Sequence, residues 1–294
     1  MSSHWSEYWS GGHLTSFGSG FKKNYEGELK EFWEATAKKF GENSTVLDVG
    51  TGNGALIELI QNNNQFNCYG IDKAEMHKGV TQSINGTFLA KTSVECLPFN
   101  DNAFSNVIAQ FSLEYSQVSQ SIDEIYRVLS SGGSFTFVCH HPESIIVKPN
   151  KKILKAANFI KSDIENHLIR LVKSVRSSNL LLSKQIVEEI EAKVITHFKY
   201  EQEALKGTNL PAFIEFLLQN IHGNLDFEEA YRLFMEELDL LIKRLSELVA
   251  AAKNTKNILE QLKALSIEVE DGQLLGYESC NILATYIHGS KCNS

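Results

Sequence analysis

The densest concentration of usable chemistry lies between residues 46 and 72. The run Val46-Leu47-Asp48-Val49-Gly50-Thr51-Gly52-Asn53-Gly54-Ala55 leads a buried apolar strand into a glycine-rich turn and then a helix. Glycine permits positive φ and close backbone approach, and a helix start offers free N–H groups to a polar ligand. Further on, Asp72 closes a second apolar run, Tyr69-Gly70-Ile71-Asp72, where a carboxylate can accept both hydroxyls of a ribose. Two ligands compete for such a loop. Gly50-x-Gly52-x-x-Ala55 satisfies a loose dinucleotide fingerprint. The alternative is an adenosyl sulfonium. Asp48 stands two residues before the first glycine. A carboxylate there opposes a pyrophosphate but suits the ammonium of a methionine moiety, so electrostatics favours S-adenosylmethionine over a nicotinamide dinucleotide.

A second group of reactive side chains follows two later apolar runs. His140 and His141 come directly after Ser134–Cys139, and Glu114 and Tyr115 come shortly after Asn106–Phe111. Imidazole, with an ordinary pKa near 6.5, can take up a proton near neutrality. These four are the catalytic candidates. The competing reading is that the histidines only cap a strand and hydrogen-bond the helical segment beyond it. His77, His167, His197, His222 and His288 show no ligand spacing. The cysteines at 68, 96, 139, 280 and 292 form no CxxC pair, so no metal site is expected and the thiols read as reduced, in a cytoplasmic protein.

Alternating elements must position these groups. Strands are predicted at 45–49, 66–71, 87–90, 106–111 and 134–139, with helices from 55 to 60 and from 121 to 129. That alternation implies an α/β fold, a parallel sheet covered on both faces. Before it, a helix is predicted over 26–39, with Gly41 as its C-cap. Residues 1–25 interleave Trp5, Tyr8, Trp9, Phe17, Phe21 and Tyr25 with glycines. They read as an irregular arm, either a lid or a packed surface segment. Residues 143–263 are helical. Phe227, Tyr231, Phe234, Leu238, Leu241, Leu245 and Leu248 form a heptad seam in a helix from 226 to 252, N-capped by Asp226. The seam admits a homodimer coiled coil or packing inside an all-α subdomain. Basic residues over 151–176 and acidic ones over 228–247 favour the second. Strands return at 266–270, followed by an Asp271-Gly272 turn, and at 281–288. The expected organisation is an arm and helix at 1–40, a Rossmann-like core at 41–142, a helical insertion at 143–263 that forms a roof over the acceptor or a dimer contact, and closing strands at 264–294.

In this setting the sequence resembles the class I S-adenosylmethionine-dependent methyltransferases, in particular the branch of ubiquinone/menaquinone-biosynthesis type. The resemblance covers roughly 41–142. It rests on Val46 to Gly54, on Tyr69 to Asp72, on Glu95-Cys96-Leu97-Pro98-Phe99-Asn100-Asp101-Asn102-Ala103-Phe104, on Phe111 to Tyr115 and on Glu124 to Gly133. It implies a seven-stranded methyltransferase sheet ending in a reversed hairpin. It also implies that Asp48, Gly50 and Gly52 hold the methionine end, with Thr51 and Asn53 in the same loop. Asp72 would hold the ribose, with Lys73 beside the adenine. The family's adenine-contacting Asp is replaced by Ser93, which leaves Val94 and Glu95 for that contact. Gln110 would lie under the transferable methyl.

Composition limits the function classes. The chain has 294 residues, 43% hydrophobic and 22% charged, with a net charge of −8. That mix excludes disorder over most of its length, and the acidic balance argues against a nucleic-acid partner. No apolar run is long enough to span a bilayer, and the N-terminus lacks the basic and apolar regions of a secretory signal. The expected activity is methyl transfer to an O, N or C atom of a small molecule. The alternatives are a protein or RNA acceptor, a nicotinamide oxidoreductase, and a non-catalytic binding or dimerisation module. Trp9, Phe17 or Tyr25 is expected to cover the cofactor.

Overall fold

The computed structural model describes residues 4–16, 23–62, 65–199, 201–223, 225–265, 267–276 and 281–292. The chain divides into two compact units: residues 1–145 with 251–294, and residues 146–250.

The first unit is built on one sheet. Its strands are β1 (Thr45–Val49), β2 (Asn67–Ile71), β3 (Thr87–Leu89), β4 (Phe104–Gln110), β5 (Leu129–Cys139), β6 (Val269–Leu275) and β7 (Ile282–Ser290), in the order β3-β2-β1-β4-β5-β7-β6. The first five pair in parallel, and β7 runs antiparallel to both β5 and β6. This is the expected seven-stranded α/β sheet with a reversed final hairpin. The strand order turns back between β1 and β4, which opens a crevice at their C-terminal ends, the usual place for a ligand in such sheets. The central strands are apolar because both faces are covered: Leu47, Ile71, Val107 and Phe137 are fully buried. Helices α1 (His4–Ser10), α2 (Gly27–Ala37), α3 (Ala55–Gln61), α4 (Lys78–Thr81) and α5 (Val118–Val128) complete this half of the chain.

Residues 146–250 hold the helices α6 (Val147–Phe159), α7 (Glu165–Arg176), α8 (Leu180–Phe198), α9 (Gln202–Lys206) and α10 (Leu210–Gln219), and most of the 38-residue α11 (Phe227–Ala264). A π-helical turn at Ile160–Ile164 joins α6 to α7. Asp226 caps α11 by accepting from the Glu228 and Glu229 N–H groups. Phe227, Phe234 and Leu238 of the heptad seam are buried in this unit's own core. The expected attraction between helices of opposite charge is present as Lys161–Asp239 at 2.7 Å and Arg176–Glu228 at 2.5 Å.

Several local expectations are corrected. His4–Ser10 is a regular helix, because Trp5, Tyr8 and Trp9 share a face at helical spacing and the glycines begin only after it. Gly41 does not cap α2, which ends at Lys38 in ordinary helical geometry. Asp271 and Gly272 lie inside β6, where Gly272 packs beneath the Tyr286 ring and a side chain would clash. Phe111 falls outside β4. The final turns of α11, 251–264, belong to the sheet unit, with Ile258 and Leu262 in its core.

Candidate functional site

The glycine turn after β1 is held from both sides. The Gly50 and Thr51 N–H groups donate to the Ile71 carbonyl, tying the turn to the end of β2. Gly50 has φ +72° and Gly52 φ +55°, conformations that favour glycine. A side chain on Gly50 would collide with Ser112, whose hydroxyl donates to the Val49 carbonyl at 2.6 Å. The loop after β4 therefore packs onto the loop after β1.

Two carboxylates flank this turn. Asp72 accepts from Gly52 N at 2.9 Å and from Ala74 N at 2.7 Å, which fixes it at the end of β2. Burial raises its pKa, and these two N–H donors oppose the rise. Asp48 is buried, and burial pushes its pKa up to about 7, with the charge of Asp72 adding to the rise. The Thr51 hydroxyl is near enough to favour the anion. Even so, Asp48 Oδ2 makes no hydrogen bond of normal geometry among the described residues. A buried carboxylate oxygen without a full partner calls for a donor, preferably a cationic one. Together with the glycine cradle, this makes the site fit an aminoacyl nucleoside whose ammonium meets Asp48.

The N-terminal segment lies over the same turn. Trp9 is buried with its indole against Gly52, and Asn53 donates to the Trp9 and His13 carbonyls at 3.0 and 2.7 Å. Asn53 also accepts from His77 N at 2.8 Å, joining three segments. The Tyr25 hydroxyl interacts with Ser16 and Gln110 and feels the Asp48 charge, while burial pushes it up to about 12. Gln110 in turn accepts from Trp33 Nε1 at 2.6 Å. Trp9 and Tyr25 thus stand at the candidate cofactor loop, and Phe17 lies outside the described residues.

The adenine-side candidates form their own cluster. Lys73 is exposed and Val94 is buried. The Ser93 hydroxyl donates to Glu95, and the same carboxylate accepts from Gln117 N at 3.1 Å. Burial, the largest single effect, raises the pKa of Glu95, but these hydrogen bonds and the Lys73 charge together outweigh it and hold the carboxyl low. Arg127 organises the neighbouring loop through the Leu97 and Phe99 carbonyls and the Glu124 and Asp101 carboxylates, and Glu124 accepts from Leu97 N. These contacts join the stretches at 95–104 and 124–133.

The four catalytic candidates separate. Glu114 and His140 meet: one oxygen, Glu114 Oε1, lies 2.9 Å from His140 N and 2.8 Å from His140 Nδ1. Phe111 packs on the His140 ring at 4.5 Å, and Tyr115, exposed, touches its edge at 5.9 Å. His141 turns away, accepting from Glu143 N and lying 3.4 Å from Gln273. Three participants had no sequence signal: Trp33, and Asn254 and Thr255 of α11. Asn254 donates to the Glu114 carbonyl and Thr255 to the His140 carbonyl. Among the described residues there is no cluster of His, Cys, Asp and Glu able to hold a metal ion, and no helix is long and apolar enough to cross a membrane.

Residues 47–137 match the family model described as a methyltransferase domain. No curated protein matches the chain. Among solved structures, a candidate methyltransferase of Haloferax volcanii, in complex with the methyltransferase activator Trm112, is 23% identical over 37% of this chain and 54% of its own, with TM-score 0.33. An S-adenosylmethionine-dependent methyltransferase of Mesorhizobium loti is 20% identical over 38% and 55%, with TM-score 0.34. A candidate methyltransferase of Methanococcus maripaludis is 15% identical over 94% and 99%, with TM-score 0.42. The chain thus spans little more than half the length of the first two. The match covers residues 47–137, and the cofactor it implies is S-adenosylmethionine.

Proposed function

We propose that the whole chain transfers a methyl group from S-adenosylmethionine to an oxygen, nitrogen or carbon atom of a small molecule. The observation that carries this reading is the buried Asp48 beneath the Gly50–Gly52 cradle, with Asp72 fixed beside it. Asp48 would receive the ammonium. Gly50, Thr51, Gly52 and Asn53 would take the methionine end, and Asp72 the ribose hydroxyls. Lys73, Val94 and the Ser93–Glu95 pair would border the adenine, so a carboxylate is still available there although position 93 carries none.

The bound cofactor supplies a methyl group already activated on a sulfonium, so the protein's work is to position the acceptor and exclude water. Trp9 and Tyr25, lying at the loop, suit that exclusion, and a site closed in this way would favour a small acceptor over a macromolecule. The motif set at 46–54, 95–104 and 124–133 supports the ubiquinone/menaquinone-type branch, with the helices between β5 and β6 as an insertion.

Calorimetry tests the cofactor reading. S-adenosylmethionine and S-adenosylhomocysteine should bind, NAD should not, and Asp72→Ala should weaken the adenosyl ligands. Binding of NAD alone, or of neither adenosyl compound at millimolar concentration, overturns it.

A further inference from the structure

We infer that Glu114 and His140 form a carboxylate–imidazole base, and that the acceptor this base serves is a hydroxyl. The inference rests on the methyltransferase reading above and goes further by naming the acceptor class.

The geometry begins with sheet register. Gln110 of β4 pairs with Val138 of β5, so the chain leaving β4 and the chain leaving β5 emerge side by side at the crevice. Glu114 and His140 sit just past those two ends. Glu114 is fully buried, and its Oε1 faces two donors on one residue, the His140 backbone N–H and the ring Nδ1. An oxygen that already accepts a backbone N–H is an acceptor for the ring as well. The proton therefore sits on Nδ1, and the lone pair of the neutral ring sits on Nε2. Nε2 has no hydrogen-bond partner among the described residues, and the residue keeps 7% of its surface accessible.

The surroundings hold this arrangement in place. Adjacent residues of α11 bind the two partners' own carbonyls, Asn254 at Glu114 and Thr255 at His140. Phe111 covers the ring from the β4 side, and its neighbour Gln110 interacts with Tyr25, which feels the charge of Asp48. The imidazole thus packs on the residue that follows Gln110, at the end of the strand whose last side chain lies beside Tyr25. Phe111 holds its position at φ +51°, and strained backbone of this kind gathers at functional sites. The Cys139 thiol also lies beside Glu114 and is pushed well up by burial and by that carboxylate, so it stays protonated and does not compete as a base.

A base matters most when the attacking atom must shed a proton, as a hydroxyl must. In the proposed step the acceptor oxygen bonds to the methyl carbon while its proton passes to Nε2. The carbon–sulfur bond breaks with its electron pair left on sulfur. The products are a methyl ether, a thioether and an imidazolium, which returns its proton to solvent. His140 is the catalytic residue and Glu114 the positioning residue.

The test uses the full chain. In ¹⁵N-histidine-labelled protein, His140 should show a protonated Nδ1 and a bare Nε2, and Glu114→Gln should disturb that signature while leaving S-adenosylhomocysteine affinity within about twofold. With methyl-labelled S-adenosylmethionine and a panel of catechol and tyramine, label should appear on oxygen. His140→Asn should cut that rate by ~10²–10⁴-fold with cofactor affinity retained. A proton on Nε2, label only on the tyramine nitrogen, or a panel left unlabelled while the cofactor binds would overturn the inference. Loss of cofactor binding by the wild-type chain would instead overturn the methyltransferase reading beneath it.

Discussion

A methyl group built on Gly52 would stand 2.6 Å from Cζ2 of the Trp9 indole, so the cofactor turn and the first helix fit together only because position 52 has no side chain. Gly52→Ala meets two penalties, this contact and a left-handed φ of +55°. The φ cost alone is ~1–2 kcal/mol. We expect the variant to bind S-adenosylhomocysteine at least tenfold more weakly. Adding Trp9→Ala should recover only part of the loss, since it removes the clash and leaves the φ. Full recovery, read by calorimetry, would mean that the backbone conformation is unimportant.

Asp48 makes cofactor binding pH-dependent with a defined sign. Its folded pKa of about 7 lies above the ordinary value of 3.8 because the group is buried. In the free protein this costs stability as pH rises from 4 to 7, because the unfolded chain ionises first. An arriving ammonium favours the carboxylate, so binding below pH 7 releases a proton. S-adenosylhomocysteine affinity should therefore climb as pH rises from 6, by about fivefold to pH 7 and about tenfold in all, levelling off near pH 8. Asp48→Asn should flatten that slope and weaken binding by roughly 10–100-fold, the worth of a charge-assisted hydrogen bond. A slope that survives the substitution would assign it to another group.

How far such features are visible in a sequence depends on how local they are. The turn from Asp48 to Gly54 and the five parallel strands follow from short-range patterns and are found there, whereas β6 runs straight through the Asp271-Gly272 pair that reads locally as a turn. Glu114 and His140 are recognisable as reactive residues at strand ends, but their pairing depends on the register of β4 against β5. Asn254 and Thr255 reach the same pair from more than a hundred residues away, through side chains of ordinary type. The helix at His4–Ser10 is hidden differently: its aromatic spacing is helical, but the nearby glycines dominate the composition. The strain at Phe111 has no sequence signature, since nothing local demands a left-handed aromatic residue.

That strain can be measured. At most positions glycine is less stable than alanine by about 0.5–1 kcal/mol. At position 111, with φ +51°, the order should reverse. Both Phe111→Gly and Phe111→Ala lose the buried ring, yet the glycine variant should be the more stable by about 1 kcal/mol in urea denaturation. An alanine variant of equal or greater stability would show that the backbone relaxes without cost.

Arg127 is a structural test of the loop that borders the adenine side. Its guanidinium reaches the Leu97 and Phe99 carbonyls at 3.0 and 2.7 Å and the Glu124 carboxylate at 2.7 and 2.8 Å. Lysine keeps the charge but cannot present that planar fork. Arg127→Lys should cost about 1–3 kcal/mol through carbonyls left unpaired, with faster amide exchange over 97–101. Unchanged exchange there would remove Arg127 from the account of this loop.

The N-terminal segment is expected to act as a cover, and its anchoring gives two ways to test it. Asn53 ties the Trp9 and His13 carbonyls to the cofactor turn, so Asn53→Ala loosens the segment without shortening it. Deleting residues 1–25 removes it together with Tyr25 and its interactions at Gln110 and Asp48. Both changes should raise the dissociation constant for S-adenosylhomocysteine, the deletion more than the substitution. Asn53→Ala should also make Trp9 fluorescence easier to quench with iodide, which reports opening independently of affinity. If the deletion leaves affinity and turnover unchanged, the segment is a packed surface arm. If Asn53→Ala weakens binding with no change in quenching, Asn53 contacts the cofactor itself.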